Sequence, residues 1–247
     1  MASAVAGDGP SVVVVSAHAA DFVWRSGGAI ARAAQDGASV TVLCLSYGER
    51  GESAALWKDE NATLESVKAA RQEEAEAAAK TLGAEIAFFD AGDYPLRATD
   101  ELIDGLVAQF RRLQPTLLLT HAAYDPYNLD HSLAHEIVLR ARMVAQAHGL
   151  PDRSTKVLGA TQVMAFEPHQ PEQCGFVPNR FLDITPVFEQ KQAAMKCMGA
   201  AQGHLIDYYE DLAVRRGVQA RRNGAPSTVR HAEAFQQVFP TVGATLW

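Results

Sequence analysis

Cysteine is scarce: Cys44, Cys174 and Cys197 are the three in 247 residues. None stands in a C-x-x-C pair, which argues against a disulfide framework and against a thiolate zinc site, and points to a reducing, cytoplasmic compartment. Basic residues are also in deficit, 22 Lys and Arg against 29 Asp and Glu, for a net charge of −7. With a pI of about 5.6, the chain has no basic face to neutralise phosphates, so nucleic acid and anionic membranes are excluded as partners. A small anionic substrate is compatible with this balance, because a few focused arginines override the global field. Long apolar runs are missing too, and nothing approaches the roughly 20 residues needed to span a bilayer. The opening "SVVVVSAHA" ends like a signal-peptide cleavage site, but the run is too short and no Lys or Arg precedes it. Internal repeats and low-complexity segments do not stand out, and whether the chain forms a homo-oligomer is left open.

What is present is alternation. "SVVVVSAH" (11–18) reads as a buried strand, "FVWRSGGAIARAAQDG" as a helix closed by Gly37, and "SVTVLCLSYG" (39–48) as a second strand. Residues 61–82 are Ala/Glu-rich and helical, "EIAFFDAG" (85–92) is a strand, "DELIDGLVAQFRRL" a helix and "TLLLTHAA" (116–123) a fourth strand. "HSLAHEIVLRARMVAQAHG" is helical, "KVLGATQVMAFEPH" and "RFLDIT" are later strands, and "PVFEQKQAAMKCMGAAQ" is a further helix. Near-continuous Val/Leu/Ile strands between helices predict an α/β, Rossmann-like fold, a mostly parallel sheet with helices on both faces. A single domain is expected over residues 1–247, with residues 205–247, charged and then apolar again, as a C-terminal extension.

Parallel sheets of this kind bind ligands beyond the carboxyl ends of their strands. That rule collects His18 and Asp21 after the first strand, Glu49 after the second, Asp90 and Asp93 after the third, residues 121–131 after the fourth and His169 after the fifth. Imidazole and carboxylate suit zinc or ferrous iron, and a catalytic zinc site typically uses three protein ligands. An H-x-x-D turn at a strand end supplies two, and "YDPYNLDHSLAH" (124–135) offers His131 and His135 with Asp130 beside them. Each of these residues has an ordinary alternative: a lone strand-end histidine finds a hydrogen bond, and Asn128 or Asp130 caps a helix. Two separate clusters at one rim favour the metal reading.

"SAHAADF", then "VTVLCLSYGERGES", then "NLDHSLAHE" resembles the PIG-L (LmbE-like) family of zinc-dependent N-acetylglucosamine deacetylases, whose motifs read A-H-P-D-D-E, T-x-G-E-x-G and H-x-D-H. The resemblance runs over roughly residues 11–202 and includes the late helix ending in Gln202. It implies zinc ligands at His18, Asp21 and His131, with Asp130 orienting a ligating imidazole. Fe2+ or Co2+ also suits such a donor set.

Two departures matter. The first Asp of D-D, the deacetylases' general base, is Ala20 here, and the first His of H-x-D-H is Asn128. Amide hydrolysis needs water activation, oxyanion stabilisation and a protonated leaving amine, and two of these are weakened. Addition of water across an activated carbon–carbon double bond needs only an activated water and one acid. The alanine variant with "GERGE" retained resembles the family's hydratase branch, which acts on 4-oxalomesaconate (4-carboxy-2-hydroxymuconate) in gallate and protocatechuate degradation and forms 4-carboxy-4-hydroxy-2-oxoadipate. That resemblance implies Glu49 as base. His169 is the expected acid, with His121 and His135 as competitors and His204 and His231 ranking lower. Arg50 and Arg180 are expected to grip substrate carboxylates through their planar forks, with Tyr124 and Asn128 as neutral donors. The alternative is a zinc-dependent N-acetyl sugar deacetylase.

Overall fold

Strand β1, Ser11–Ser16, is buried along its whole length. Its valines divide between two apolar clusters. Val12 and Val14 join one, and Val13 and Val15 join the other. That division is the period-2 alternation of a strand covered on both faces. Fully burying such a side chain contributes about 1.5–3 kcal/mol, so the four valines anchor the centre of the sheet.

In the computed structural model, residues 9–150 and 155–242 are described. The remaining strands are β2 (Ser39–Cys44), β3 (Glu85–Phe88), β4 (Leu117–Thr120), β5 (Gln162–Phe166), β6 (Arg180–Asp183) and β7 (Ala232–Gln237), in the order β3-β2-β1-β4-β5-β7-β6. β1 runs parallel to β2 and to β4, and the parallel set extends through β3 and β5. β7 is antiparallel to both of its neighbours. The sheet is therefore mostly parallel and mixed at one edge. The expected strands are present but shorter, because residues beyond each carboxyl end turn into the loops that carry the polar groups.

The helices are α1 (Asp21–Gln35), α2 (Leu64–Leu82), α3 (Asp100–Leu113), α4 (Leu129–Ala145), α5 (Phe188–Cys197), α6 (Gly199–Gln202) and α7 (Ile206–Arg222). α1, α2, α5 and α7 contribute to the apolar cluster on one face, and α3 and α4 to the other. Close approach on the first face needs Gly28, where a Cβ would lie 2.7 Å from Ile184. No helix among the described residues is long and apolar enough to cross a membrane.

Residues read from sequence as a C-terminal extension form α7 and β7, and β7 lies inside the sheet between β5 and β6; residues 243–247 of that extension lie outside the described residues. A buried ion pair ties this segment to α1. Lys191 Nζ stands 2.7 Å from Glu233 Oε1 and donates to Trp24 O at 3.0 Å. The two Glu233 oxygens accept from Gly28 N and Ala29 N at 2.8 Å each.

Strand order reverses at β1, with β2 on one side and β4 on the other. The crevice beyond the carboxyl ends at such a reversal is where open α/β sheets bind ligands. His18 follows β1 and the loop after β4 leads into α4, so both sequence clusters arrive there.

Candidate metal centre

The β1–α1 turn is locked by its own residues: His18 N donates to Asp21 Oδ2 at 2.9 Å. This places the His18 ring and the Asp21 carboxylate on one side, both buried. From the other strand, α4 begins at Asn128, whose side chain accepts from Asp130 N at 3.1 Å as the helix N-cap. His131 then projects from the first turn into the same crevice. A fourth group, Glu52, comes from the loop after β2. One ligand atom from each of His18, Asp21, Glu52 and His131 lies within 4.8 Å of the others.

The spacing within this cluster fits a cation. His18 Nδ1 lies 3.3 Å from Asp21 Oδ2 and 3.2 Å from Glu52 Oε1. His131 Nε2 lies 3.3 Å from Asp21 Oδ1 and 3.7 Å from Glu52 Oε1. Ligands held about 2.0–2.1 Å from a tetrahedral zinc stand about 3.3 Å apart. Those same two nitrogens, His18 Nδ1 and His131 Nε2, are buried without a hydrogen-bond partner, whereas their opposite ring nitrogens are engaged. Buried polar atoms are rarely left unpaired, and a divalent cation satisfies both. The residues present therefore fit a metal of the zinc type.

Carboxylates orient both imidazoles. Asp125 Oδ2 stands 2.9 Å from His131 Nδ1, and Asp130 Oδ2 stands 3.4 Å from His18 Nε2. A carboxylate behind a ligating imidazole fixes its tautomer and raises its basicity. Asp130 also accepts from Tyr94 N and Leu96 N, at 2.9 and 3.0 Å, joining the β3–α3 loop to the site. Arg25, buried one helical turn after Asp21, donates its Nε to Asp21 Oδ1 at 3.3 Å and its Nη1 to Glu167 O at 3.3 Å.

The electrostatics follow from this crowding. Burial lowers the affinity of His131 for a proton, but Asp21 and Asp125 outweigh it and the imidazole is raised to about 9. His18 is likewise raised, burial being overcome by Glu52, Asp130 and Asp21. Burial works against the charged form of Glu52, and His18 more than compensates, so its carboxyl is held below the usual range. His121, stacked on His131 at 4.2 Å, is pushed down to about 3 by burial and by His131. Its Nε2 accepts from Ala17 N at 2.9 Å, so it serves the backbone as a neutral ring and is no candidate acid.

A cleft of about 460 Å³ opens beside the cluster, lined among others by Glu52, Tyr94, Asn128, His131, His169 and Gln202. Tyr209 Oη, 3.1 Å from His169 Nδ1, and Tyr208, which donates to the His169 carbonyl, hold His169 in the wall. Burial and the Arg25 charge push His169 down to about 4, so it is neutral. Gln202 accepts from Trp24 Nε1 at 2.8 Å and directs its amide toward Glu52 Oε2 at 3.4 Å.

Of the expected site residues, the structure brings together His18, Asp21, His131, Asp130, Asn128 and His169, and separates four others from the cluster. Glu49 turns its buried carboxyl to Tyr47 N at 3.2 Å and toward Lys68 at 3.9 Å, while burial and Asp93 raise its pKa. The carboxylate facing the ligands from this loop is Glu52. Arg50 is held by Asp93, donating Nη1 to its carbonyl at 3.3 Å. Arg180, on β6, lines a different cavity with Arg32, Asp36 and Met164. Tyr124 is 58% exposed, and the tyrosines lining the cleft are Tyr94 and Tyr127. His135 bonds His121 O through Nδ1 at 2.8 Å and is not in the ligand group, and His231 stacks on Phe188. Glu52, Asp125, Arg25 and Gln202 were not anticipated as site residues. Glu52 sits in the same "GERGES" turn and Asp125 in the same "YDPYNLDH" segment, so the signal was position at the rim.

The PIG-L pattern described as GlcNAc-PI de-N-acetylase matches residues 13–142, more than half of the chain. The chain belongs to the PIG-L family. Within that family, a 4-oxalmesaconate hydratase of Pseudomonas putida is 52% identical over 239 residues, covering 96% of this chain and 92% of the relative. The crystal structure of GalB, the 4-carboxy-2-hydroxymuconate hydratase of Pseudomonas putida KT2440, superposes with a TM-score of 0.93 at 51% identity, covering 97% of this chain and 100% of that one. A more distant PIG-L fold, the N,N'-diacetylchitobiose deacetylase of Pyrococcus horikoshii, matches with a TM-score of 0.77 at 21% identity over 93% of this chain and 84% of that one.

Proposed function

We propose that this PIG-L protein is a metal-dependent hydratase that adds water to a conjugated, unsaturated oxo-tricarboxylic acid of the 4-oxalomesaconate type. The observation that carries the reading is the ligand set beside the cleft, with Ala20 rather than a second aspartate standing directly before Asp21. The high-identity hydratase relative supports the same reading.

His18, Asp21 and His131 would hold the metal, zinc in the first instance. When bound, such a cation lowers the pKa of a coordinated water toward 7 and so supplies a nucleophile at neutral pH. Glu52, ionised beside His18 and approached by the Gln202 amide, would accept a proton from water. The water oxygen bonds to the carbon conjugated with a carbonyl or carboxylate, and the neighbouring carbon receives a proton. His169 lies in the wall of the same cleft, hydrogen-bonded to Tyr209 Oη through Nδ1, and in its protonated form would deliver that proton from Nε2. Arg25 does not line the cleft; it neutralises Asp21 from behind.

The test is to incubate the purified protein with the conjugated acid, with and without a chelator, and follow the loss of the chromophore. Chelator-sensitive loss is expected. Release of acetate from an N-acetyl sugar with no loss of the chromophore would replace hydration by deacetylation.

A further inference from the structure

Tyr94 occupies a conformation that suits glycine, with φ at +39°. A Cβ makes that region costly, and a bulky residue there is a genuine outlier. The surroundings enforce it. Asp130 clamps the loop through Tyr94 N and Leu96 N, and Asp93 accepts from Arg50 N and, at 2.7 Å, from Gly51 N, drawing the β2 loop beneath the ring. The ring rests directly on the Gly51 backbone, where an added Cβ would come within 1.4 Å of Tyr94 Cε2. It lies parallel to His18, with 5.9 Å between centroids and 5° between planes. Despite these restraints the side chain is 45% exposed and lines the cleft. Strain of this kind persists where the structure over-determines it, and it clusters at ligand clamps.

We propose that Tyr94 is a substrate-positioning residue, a flat wall that favours planar conjugated carboxylic acids over flexible saturated ones. The inference rests on the hydratase reading, whose substrate has an extended planar π system. Offset stacking against a fixed ring rewards planarity, whereas an aliphatic side chain of similar bulk fills the space without that preference. The ring is fixed before ligand arrives, by Gly51 beneath it and Asp130 behind it, so its orientation costs nothing on binding.

The experiment measures binding of two six-carbon diacids, planar trans,trans-muconate and saturated adipate, to the zinc-loaded protein by calorimetry, with metal content determined for every variant. The parent is expected to prefer muconate by roughly three- to tenfold, the range of an aromatic stacking contribution. Tyr94→Leu should erase the preference while keeping its zinc, and Tyr94→Phe should restore it. Equal affinity of the parent for the two acids, or an undiminished preference in Tyr94→Leu, would overturn the wall. Loss of zinc from Tyr94→Leu would also overturn it, by making the ring a prop for His18. Chromophore loss is assayed alongside: a parent that prefers muconate but does not hydrate the conjugated acid defeats the hydratase reading alone, and a parent that hydrates without preference defeats only the wall.

Discussion

Metal binding should release protons, and the structure says how many and over which range. In the metal-free protein His131 is raised to about 9, because Asp21 and Asp125 outweigh its burial. At pH 7 that lies two units above ambient, so about one molecule in a hundred presents a free Nε2, a cost of about 2.7 kcal/mol to any cation. Zinc affinity should therefore rise about 50-fold between pH 7 and 9 from His131 alone, where half the rings are free. His18 is raised for the same reasons and steepens the rise. The assay is competition against a chromophoric chelator of known protonation behaviour, joined to calorimetry in buffers of different ionisation heat. Between one and two protons should leave per zinc at pH 7. Stability carries the same information with a definite sign. A histidine whose folded pKa exceeds its unfolded value of about 6.5 stabilises fully below 6.5, and the contribution fades as pH rises through 9. The metal-free protein should lose up to about 3 kcal/mol across that window while the zinc-loaded protein does not. Affinity that stays flat with pH, or binding without proton release, would refute the placement of His131 Nε2 among the ligands.

Glu52→Gln should retain zinc and lower hydration by a factor of about 10² to 10⁴, the usual worth of a general base, whereas Glu49→Gln should fall far less; metal analysis beside turnover separates the two. Ala20→Asp should impair hydration, because position 20 is wholly buried and a new carboxylate would crowd Asp21 and repel an anionic substrate; turnover equal to the parent would sink that explanation of the alanine. Lys191→Met should cost about 3–5 kcal/mol in denaturant unfolding by stranding Glu233, and adding Glu233→Gln should recover a substantial part of it. Gly28→Ala should cost about 1–3 kcal/mol, read in the same way, since its Cβ would press on Ile184.

The central sheet was legible because its strands are buried on both faces and announce themselves as apolar runs, "VVVV" in β1 being the clearest. β7 was not, since "AEAFQQ" carries two buried polar-facing tasks, Glu233 against Lys191 and pairing with both β5 and β6, that only the folded chain explains. Within the site, His18 and Asp21 are three residues apart, so local spacing revealed them. Glu49 and Glu52 are also three apart, and local spacing could not choose between them. The choice is made by Gly48 at φ +67° and by Asp93, some forty residues away, whose carboxylate gathers Arg50 N and Gly51 N. Arg180 illustrates the same limit: the sequence points to a planar cation near the rim, but pairing with β7 places this one over the sheet beside α1.

Asp21, Glu52, Asp125 and Asp130 bring four carboxylates into one largely buried crevice, and Arg25 answers only one of them directly. Four like charges in a low-dielectric space repel strongly unless cations sit between them. In the metal-free protein the cations are the two protonated imidazoles, which is why His18 and His131 hold their protons against burial. A divalent ion replaces two imidazolium charges one for one, so exchange of metal for protons leaves the local charge unchanged. An anionic substrate then meets the same field in either form, and discrimination between them rests on the open coordination position rather than on net charge.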